Sequence, residues 1–282
     1  KMLTRQYGYL WSTAAPPAEP QTEVLERLGG CLLEQVFTPA EVDDLRSAVD
    51  AVFDRYPADV RQVDRAAEEN AQFRYEMLNR SAVCQKAVAH PRILSVIEPL
   101  LGEDCHIIAN TAWRNPPKPM DASQPWHVDA GPHIPLPKGT RWPESLPHPV
   151  FAIGCHILIE DCGLEDGPTG FVPRSHLSGR PPPGRQRFDL ELSFDGEKVR
   201  ALTGRSGDVL LFVSDVWHRR LPSGPSDRGR YFLQVHYGRR DLQQRLRVTD
   251  EAHQLTHEAR QRAVSEREKT LIGLHPPGFY DG

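Results

Sequence analysis

From Cys105 onward the spacing of apolar residues changes from helical to extended, and it stays extended as far as Tyr237. Strand candidates are His106–Asn115, 150–159, 170–173, 199–203, Val209–Val213 and 230–237. Turn signals separate them: Asp166-Gly167-Pro168, Asp195-Gly196, Ser206-Gly207-Asp208 and Ser223-Gly224-Pro225. A series of short strands cut by Gly and Pro turns closes its core as a barrel or jelly roll. The fold class expected is therefore mainly β with flanking helices, the helices coming before residue 105 and packing on one sheet.

Upstream, 31–37 reads as a short strand after Gly29-Gly30. Thr38-Pro39-Ala40-Glu41 offers an N-cap threonine, a proline at the first helical position and a glutamate that closes a capping box. The helix it opens carries Val42, Leu45, Val49 and Val52 on one face and should end near Tyr56-Pro57. A second helix, Pro91–Leu101, has Ile93, Val96 and Leu100 in register and meets a stop at Gly102. A polar stretch, 61–72, lies between them. Residues 1–22, with the linker-like Ala14-Ala15-Pro16-Pro17-Ala18-Glu19-Pro20, form an N-terminal arm. Residues 23–282 form a single domain: a β core of about 105–238, then 239–282 with a charged helix over 258–270 and an apolar tail, 271–280, that docks back.

Net charge is −4 with no long basic run, which argues against a nucleic-acid partner. No apolar stretch approaches the roughly 18 residues of a membrane-spanning helix, and the N-terminus carries no signal-peptide core. Five cysteines, an odd number with no C-x-x-C pair, suit reduced buried thiols in a cytoplasmic protein.

The chemistry concentrates in Gln124-Pro125-Trp126-His127-Val128-Asp129-Ala130-Gly131. On an extended segment His127 and Asp129 project from one face, about 7 Å apart, and can reach one ion. A second histidine, His218, follows the apolar run Val209–Val213. Two histidines and a carboxylate on one side of a metal leave its other positions free, the arrangement of non-haem Fe(II) oxygenases. A lone H-x-D is equally a surface histidine beside a solvated aspartate, so its company matters. Arg230 opens a barrel strand, and a guanidinium there is costly to bury unless an anion meets it. A dicarboxylate such as 2-oxoglutarate fits, chelating iron through its oxoacid and meeting the arginine with its far carboxylate. Arg228 shares Arg230's strand parity. The stretch from Asp166 to His176 forms a hairpin lining the rim, with His176 a weaker candidate ligand than His218 because local hydrogen bonds should hold its turn.

In order, H-x-D, G-x-x-x-x-P-x-S-H, G-D-v-l-l-F…W-H and an arginine before the last strand resemble the phytanoyl-CoA dioxygenase (PhyH) family from about Gly30 to Gly238. The family consists of Fe(II)- and 2-oxoglutarate-dependent oxygenases on a double-stranded β-helix, a cupin-like jelly roll. The resemblance implies Fe(II), 2-oxoglutarate and O2 as cofactors, with His127, Asp129 and His218 as metal ligands. It implies Arg230 as the co-substrate anchor, with Arg228 as the alternative. Arg74 falls near a basic family position that binds the oxoacid, and His156 near an aromatic one. The carboxylate of Asp129 favours hydroxylation over halogenation, with succinate and CO2 released.

The run from Pro116 to Pro149 holds ten prolines. Its later part, a stiff loop with Ile134, Leu136 and Trp142, is expected to wall a small-molecule substrate pocket with Trp113 and the C-terminal tail. Arg141, His133 and Lys138 could meet an acidic group there. The competing expectations are a cupin-like isomerase or hydrolase with the same metal site but no 2-oxoglutarate, and a non-catalytic oxoacid- or metal-binding module.

Overall fold

The computed structural model describes residues 3–6, 9–12, 19–59, 71–129, 131–143, 145–247 and 254–276. The expectations for residues 13–18, 61–70 and 277–280 fall outside these. Strands and helices are numbered along the chain.

An antiparallel sheet of six strands carries the molecule. Its spatial order is β3 (Gly30–Leu33), β11 (Val209–Val213), β6 (Ala152–Leu158), β13 (Arg230–Gly238), β5 (His106–Asn115) and β4 (Phe73–Arg74). A smaller antiparallel sheet faces it, in the order β10 (Arg200–Leu202), β7 (Thr169–Phe171), β12 (His218–Arg220). Two hairpins, β1 (Leu3–Gln6) with β2 (Tyr9–Ser12) and β8 (Ser193–Phe194) with β9 (Glu197–Lys198), stand apart.

Alternation along β13 shows how the layers form. Tyr231, Leu233, Val235 and Tyr237 join a core that includes Val42, Leu45, Val49, Val52 and Phe53 of helix α2 (Pro39–Arg55). The intervening residues point the other way. Phe232 packs there with Leu210 and Phe212 from the large sheet and Phe171 and Leu202 from the small one. One face of the large sheet is thus covered by helices and the other encloses the interior of a jelly roll.

Helix α2 begins as its sequence dictates: the Thr38 hydroxyl accepts from Glu41 N at 3.3 Å and the Glu41 carboxylate accepts from Thr38 N at 2.8 Å. Helix α5 (Pro91–Leu101), with α3 (Met77–Arg80) and α4 (Ala82–Ala87) before it, ends at Gly102 as expected. Three expectations are corrected. Helix α1 (Pro20–Leu28) starts inside the supposed arm and runs across the boundary at residue 23, its Leu25 buried against the domain. The charged helix over 258–270 is two helices, α6 (His257–Arg262) and α7 (Glu266–Leu271), because the Ser265 side chain accepts from Glu268 N and starts a new capping box. β7 is no hairpin arm but the central strand of the small sheet, bonded to β10 and β12.

All five cysteines are buried and free. Among the described residues no helix is long and apolar enough to cross a membrane.

Candidate metal centre

His127 and His218 face each other across an antiparallel bridge that extends the small sheet beyond β12. His127 N donates to His218 O and His218 N to His127 O, both at 3.0 Å. A hydrogen-bonded pair of this kind sets two side chains on one face of the sheet, and the two imidazoles lie with centroids 4.4 Å apart. Two residues on, Asp129 N donates to Ser214 O at 3.2 Å. That bond carries Asp129 onto the same face. The donor atoms of His127, Asp129 and His218 all lie within 4.8 Å of one another. Asp129 Oδ1 is 3.3 Å from His218 Nε2 and 3.8 Å from His127 Nε2. Atoms held at about 2.1 Å from a common ion stand about 3 Å apart when octahedral, so small movements close this set on a metal.

Backbone carbonyls choose the tautomers. His127 Nδ1 lies 3.0 Å from Pro125 O, and His218 Nδ1 lies 2.9 Å from Val216 O. A carbonyl only accepts, so each Nδ1 carries the proton and each Nε2 lone pair is left for the metal. Asp129 Oδ2 is taken by His236 Nε2 at 3.0 Å, leaving Oδ1 toward the histidines. Burial works to raise the Asp129 carboxyl, but His218 and His236 outweigh it and hold it well below the usual carboxylate range. Burial likewise works against charge on His218, and Asp129 outweighs it, so the imidazole sits above its ordinary value.

Arg230, Phe232, Gln234 and His236 share the inward face of β13. His236 touches Asp129 at one end. At the other, the Arg230 Nε is buried with no hydrogen-bond partner, and its guanidinium lies 5.2 Å from the Phe232 ring. Burial, with Arg220 nearby, pulls the guanidinium below its ordinary value. Arg228 is placed differently: it is exposed and forks onto Asp166, with bonds of 3.2 and 2.7 Å. His156 stands opposite Gln234 on β6, its ring 4.4 Å from Phe232 and 5.3 Å from Phe212. Burial, then Arg230 and His236, push it well below its usual range, so it stands as a neutral ring in the interior of the jelly roll. Trp113 stacks over Phe232 at 6.4 Å and donates to Gln234 Oε1 at 2.6 Å.

Arg74 lies elsewhere. Its strand partner is Ala112 of the helix-side core, its guanidinium lies 4.5 Å from the Phe53 ring, and its donors are spent on the carbonyls of Tyr56, Ala71 and Phe73. It is on the wrong face of the sheet to meet an oxoacid at the triad. Of the loop side chains expected to meet an acidic group, Arg141 pairs with Asp195 at 2.7 Å and His133 bonds Asp215, while Lys138 is exposed. Trp142 donates to Leu146 O at 2.8 Å and packs on His148. Leu136 N donates to Gly179 O, so part of the loop rests on the turn after His176. His176 itself lies close to Glu26 O, at 2.9 Å, in a turn held by Ser175, whose hydroxyl donates to Val172 O and accepts from Trp217 N.

Sequence reasoning did not single out Gln234, Thr169 or Asp215. The first was reachable, since it shares Arg230's parity. Thr169, 3.5 Å from His156 Nδ1, and Asp215 depend on how the sheets meet.

Known structures share this fold. EctD from S. alaskensis with bound Fe matches at 22% identity and TM-score 0.61, over 84% of this chain and 81% of that one. HygX from Streptomyces hygroscopicus with nickel and 2-oxoglutarate bound matches at 18% and 0.60, over 86% and 97%. The non-heme alpha ketoglutarate dependent carbocyclase SnoK from nogalamycin biosynthesis matches at 19% and 0.59, over 96% of each chain. No curated protein matches by sequence. A sequence model of the phytanoyl-CoA dioxygenase family does, over residues 25–228, which takes in the whole triad and stops two residues short of Arg230. The chain belongs to the phytanoyl-CoA dioxygenase (PhyH) family.

Proposed function

We propose that the protein is an Fe(II)- and 2-oxoglutarate-dependent oxygenase that hydroxylates a C–H bond of a small molecule. The observation that carries this is the inward face of β13. One end touches a carboxylate of a two-histidine, one-carboxylate cluster, and the other presents a half-buried arginine whose buried Nε lacks a partner. A site with a metal and no anionic co-substrate has no use for such a cation, which favours this reading over a cupin-like isomerase or hydrolase that works without 2-oxoglutarate.

The donors fit the ion. His127 and His218 offer Nε2, Asp129 offers Oδ1, and His236 holds the second carboxylate oxygen away, so the carboxylate acts through one atom. The bound iron supplies O2 activation, so that substrate C–H, 2-oxoglutarate and O2 yield C–OH, succinate and CO2. Arg230 takes the far carboxylate of 2-oxoglutarate. Phe212, Phe232 and neutral His156 keep water from the chelating end, which strengthens each electrostatic contact inside. Trp113, fixed by Gln234, lies on the same inward face and lines the pocket.

An anaerobic titration of the apoprotein with Fe(II) and then 2-oxoglutarate tests this. A weak visible charge-transfer band of chelated oxoacid should appear only after the second addition. Iron binding without that band would return the cupin-like alternative to the front.

A further inference from the structure

The turn between β11 and β12 carries a buried carboxylate with no place in the chemistry above. Asp215 is 5% exposed, and both of its oxygens are spent on one residue. Oδ2 accepts from His133 N at 3.0 Å and Oδ1 bonds the same residue's Nδ1. The His133 ring lies flat on Phe151, with centroids 4.9 Å apart and planes 6° apart. Burying a carboxylate is costly unless donors meet it, and here a single residue meets both oxygens, fixed in backbone and side chain together.

The position of this pair gives it meaning. The chain around Asp129 and the chain leading to His218 are cross-linked three times. Backbone bonds join His127 to His218 and Asp129 to Ser214, and then regular pairing stops. The next link is His133 to Asp215, in which a side chain replaces the backbone. Gly131 lies between the second and third links, and a Cβ there would stand 2.5 Å from Asp215 Oδ1. The close approach of the two segments therefore depends on the carboxylate and on the lack of a side chain opposite it.

We infer that Asp215 and His133 are positioning residues that lock the Asp129 segment against the His218 turn and so preform the metal site. The inference rests on the metal-site reading above. It requires that loosening this link opens the spacing between Asp129 and His218 without touching a ligand. Partners that orient metal ligands cost about ten- to a hundred-fold in metal affinity when lost.

Three variants separate the effect from simple loss of fold. Asp215→Asn offers one acceptor where two donors need one each. His133→Phe keeps the stack on Phe151 and the backbone bond but loses the ring bond. Gly131→Ala pushes the carboxylate aside. The apoproteins are titrated with Co(II), reading its Kd and its visible d–d bands, and their melting temperatures are measured without metal. The expected result is a Kd raised about ten-fold or more and altered band shapes in all three, with no correlation between the loss of affinity and the melting temperature of the apoprotein, which falls by a few degrees in His133→Phe because the buried carboxylate loses a donor. Wild-type affinity and spectrum in the variants would overturn the inference. So would affinity losses confined to variants whose apoprotein melts correspondingly lower. If the wild type does not bind Co(II), the metal reading fails and takes this inference with it. If the wild type binds and the variants match it, only the inference fails.

Discussion

At the scale of single residues, the site is decided by which partners are already taken. The two imidazoles give their Nδ1 protons to carbonyls, and one Asp129 oxygen accepts from His236, so the two Nε2 atoms and the other carboxylate oxygen point at one place. The same accounting separates two arginines that strand parity cannot. Arg228 spends its guanidinium on Asp166 at the surface, while Arg230 is turned inward with its Nε unbonded. Removing one partner of a buried charged pair costs about 2 kcal/mol or more, which is about thirty-fold in Kd. Arg230→Ala should therefore weaken 2-oxoglutarate binding to the iron-loaded protein by at least about that factor. Arg228→Ala should leave it unchanged, because that guanidinium is spent on Asp166 away from the site. Calorimetric titration of both variants checks this, and the reverse ranking would move the co-substrate to Arg228.

Elements differ in how much of them is written locally. Helix α2 and strand β11 could be read from the sequence because a capping box and an unbroken apolar run are short-range signals. Helix α1 could not, since a proline-rich approach hides a helix whose stability comes from burying Leu25 under the domain. Strand β12 is three residues long and exists because β7 lies beside it. Arg74 was misplaced because a basic residue near the right position says nothing about which face of a sheet it takes, and that is set by Phe73 pairing with Trp113. The C-terminal segment after α7 depends on a further long-range contact. His106 Nε2 lies 2.7 Å from Leu242 O and must donate to it, so in the neutral ring Nδ1 accepts from His275 Nε2 at 2.8 Å. Burial pulls His106 below its ordinary value, although Leu242 O, Asp104 and Asp241 lean the other way. Burial, His106, Arg240 and Arg267 bring His275 to about 4. With the folded value below the unfolded one, the unfolded chain takes up the proton first. The contribution of this contact is whole above about 6.5 and is lost as pH falls toward 4. The protection of the amides of residues 271–275 against exchange, taken relative to the intrinsic rate at each pH, should fall between pH 7.5 and pH 5, and His275→Phe should remove that fall. Equal protection at both pH values in the wild type would show that the histidine pair does not hold the segment.

For the whole molecule, the triad is a seam. The His127 segment and β12 extend the small sheet, while His236 belongs to the large one and reaches Asp129 across the barrel interior. This juncture was only half legible in the sequence. Its residues were identifiable from H-x-D and the distant Trp217-His218, but the contact that closes the seam depends on β13 lying beside β6 and β5, a pairing of strands far apart in the chain. An ion held by His127, Asp129 and His218 would bond two segments 91 residues apart, which meet only in the folded chain. Binding restricted to the folded state stabilises by about 2.7 kcal/mol at a hundred-fold excess over Kd. For a chain of this size that is roughly 5 to 10 °C in melting temperature. Co(II) should thus raise the wild-type melting temperature by about that amount, a chelator should reverse the rise, and Asp129→Ala should abolish it. His236→Ala should keep part of the rise, because the carboxylate remains but is no longer held to one oxygen. An undiminished rise in Asp129→Ala would mean that the metal stabilises the protein from some other site, and the seam would then be held by packing alone.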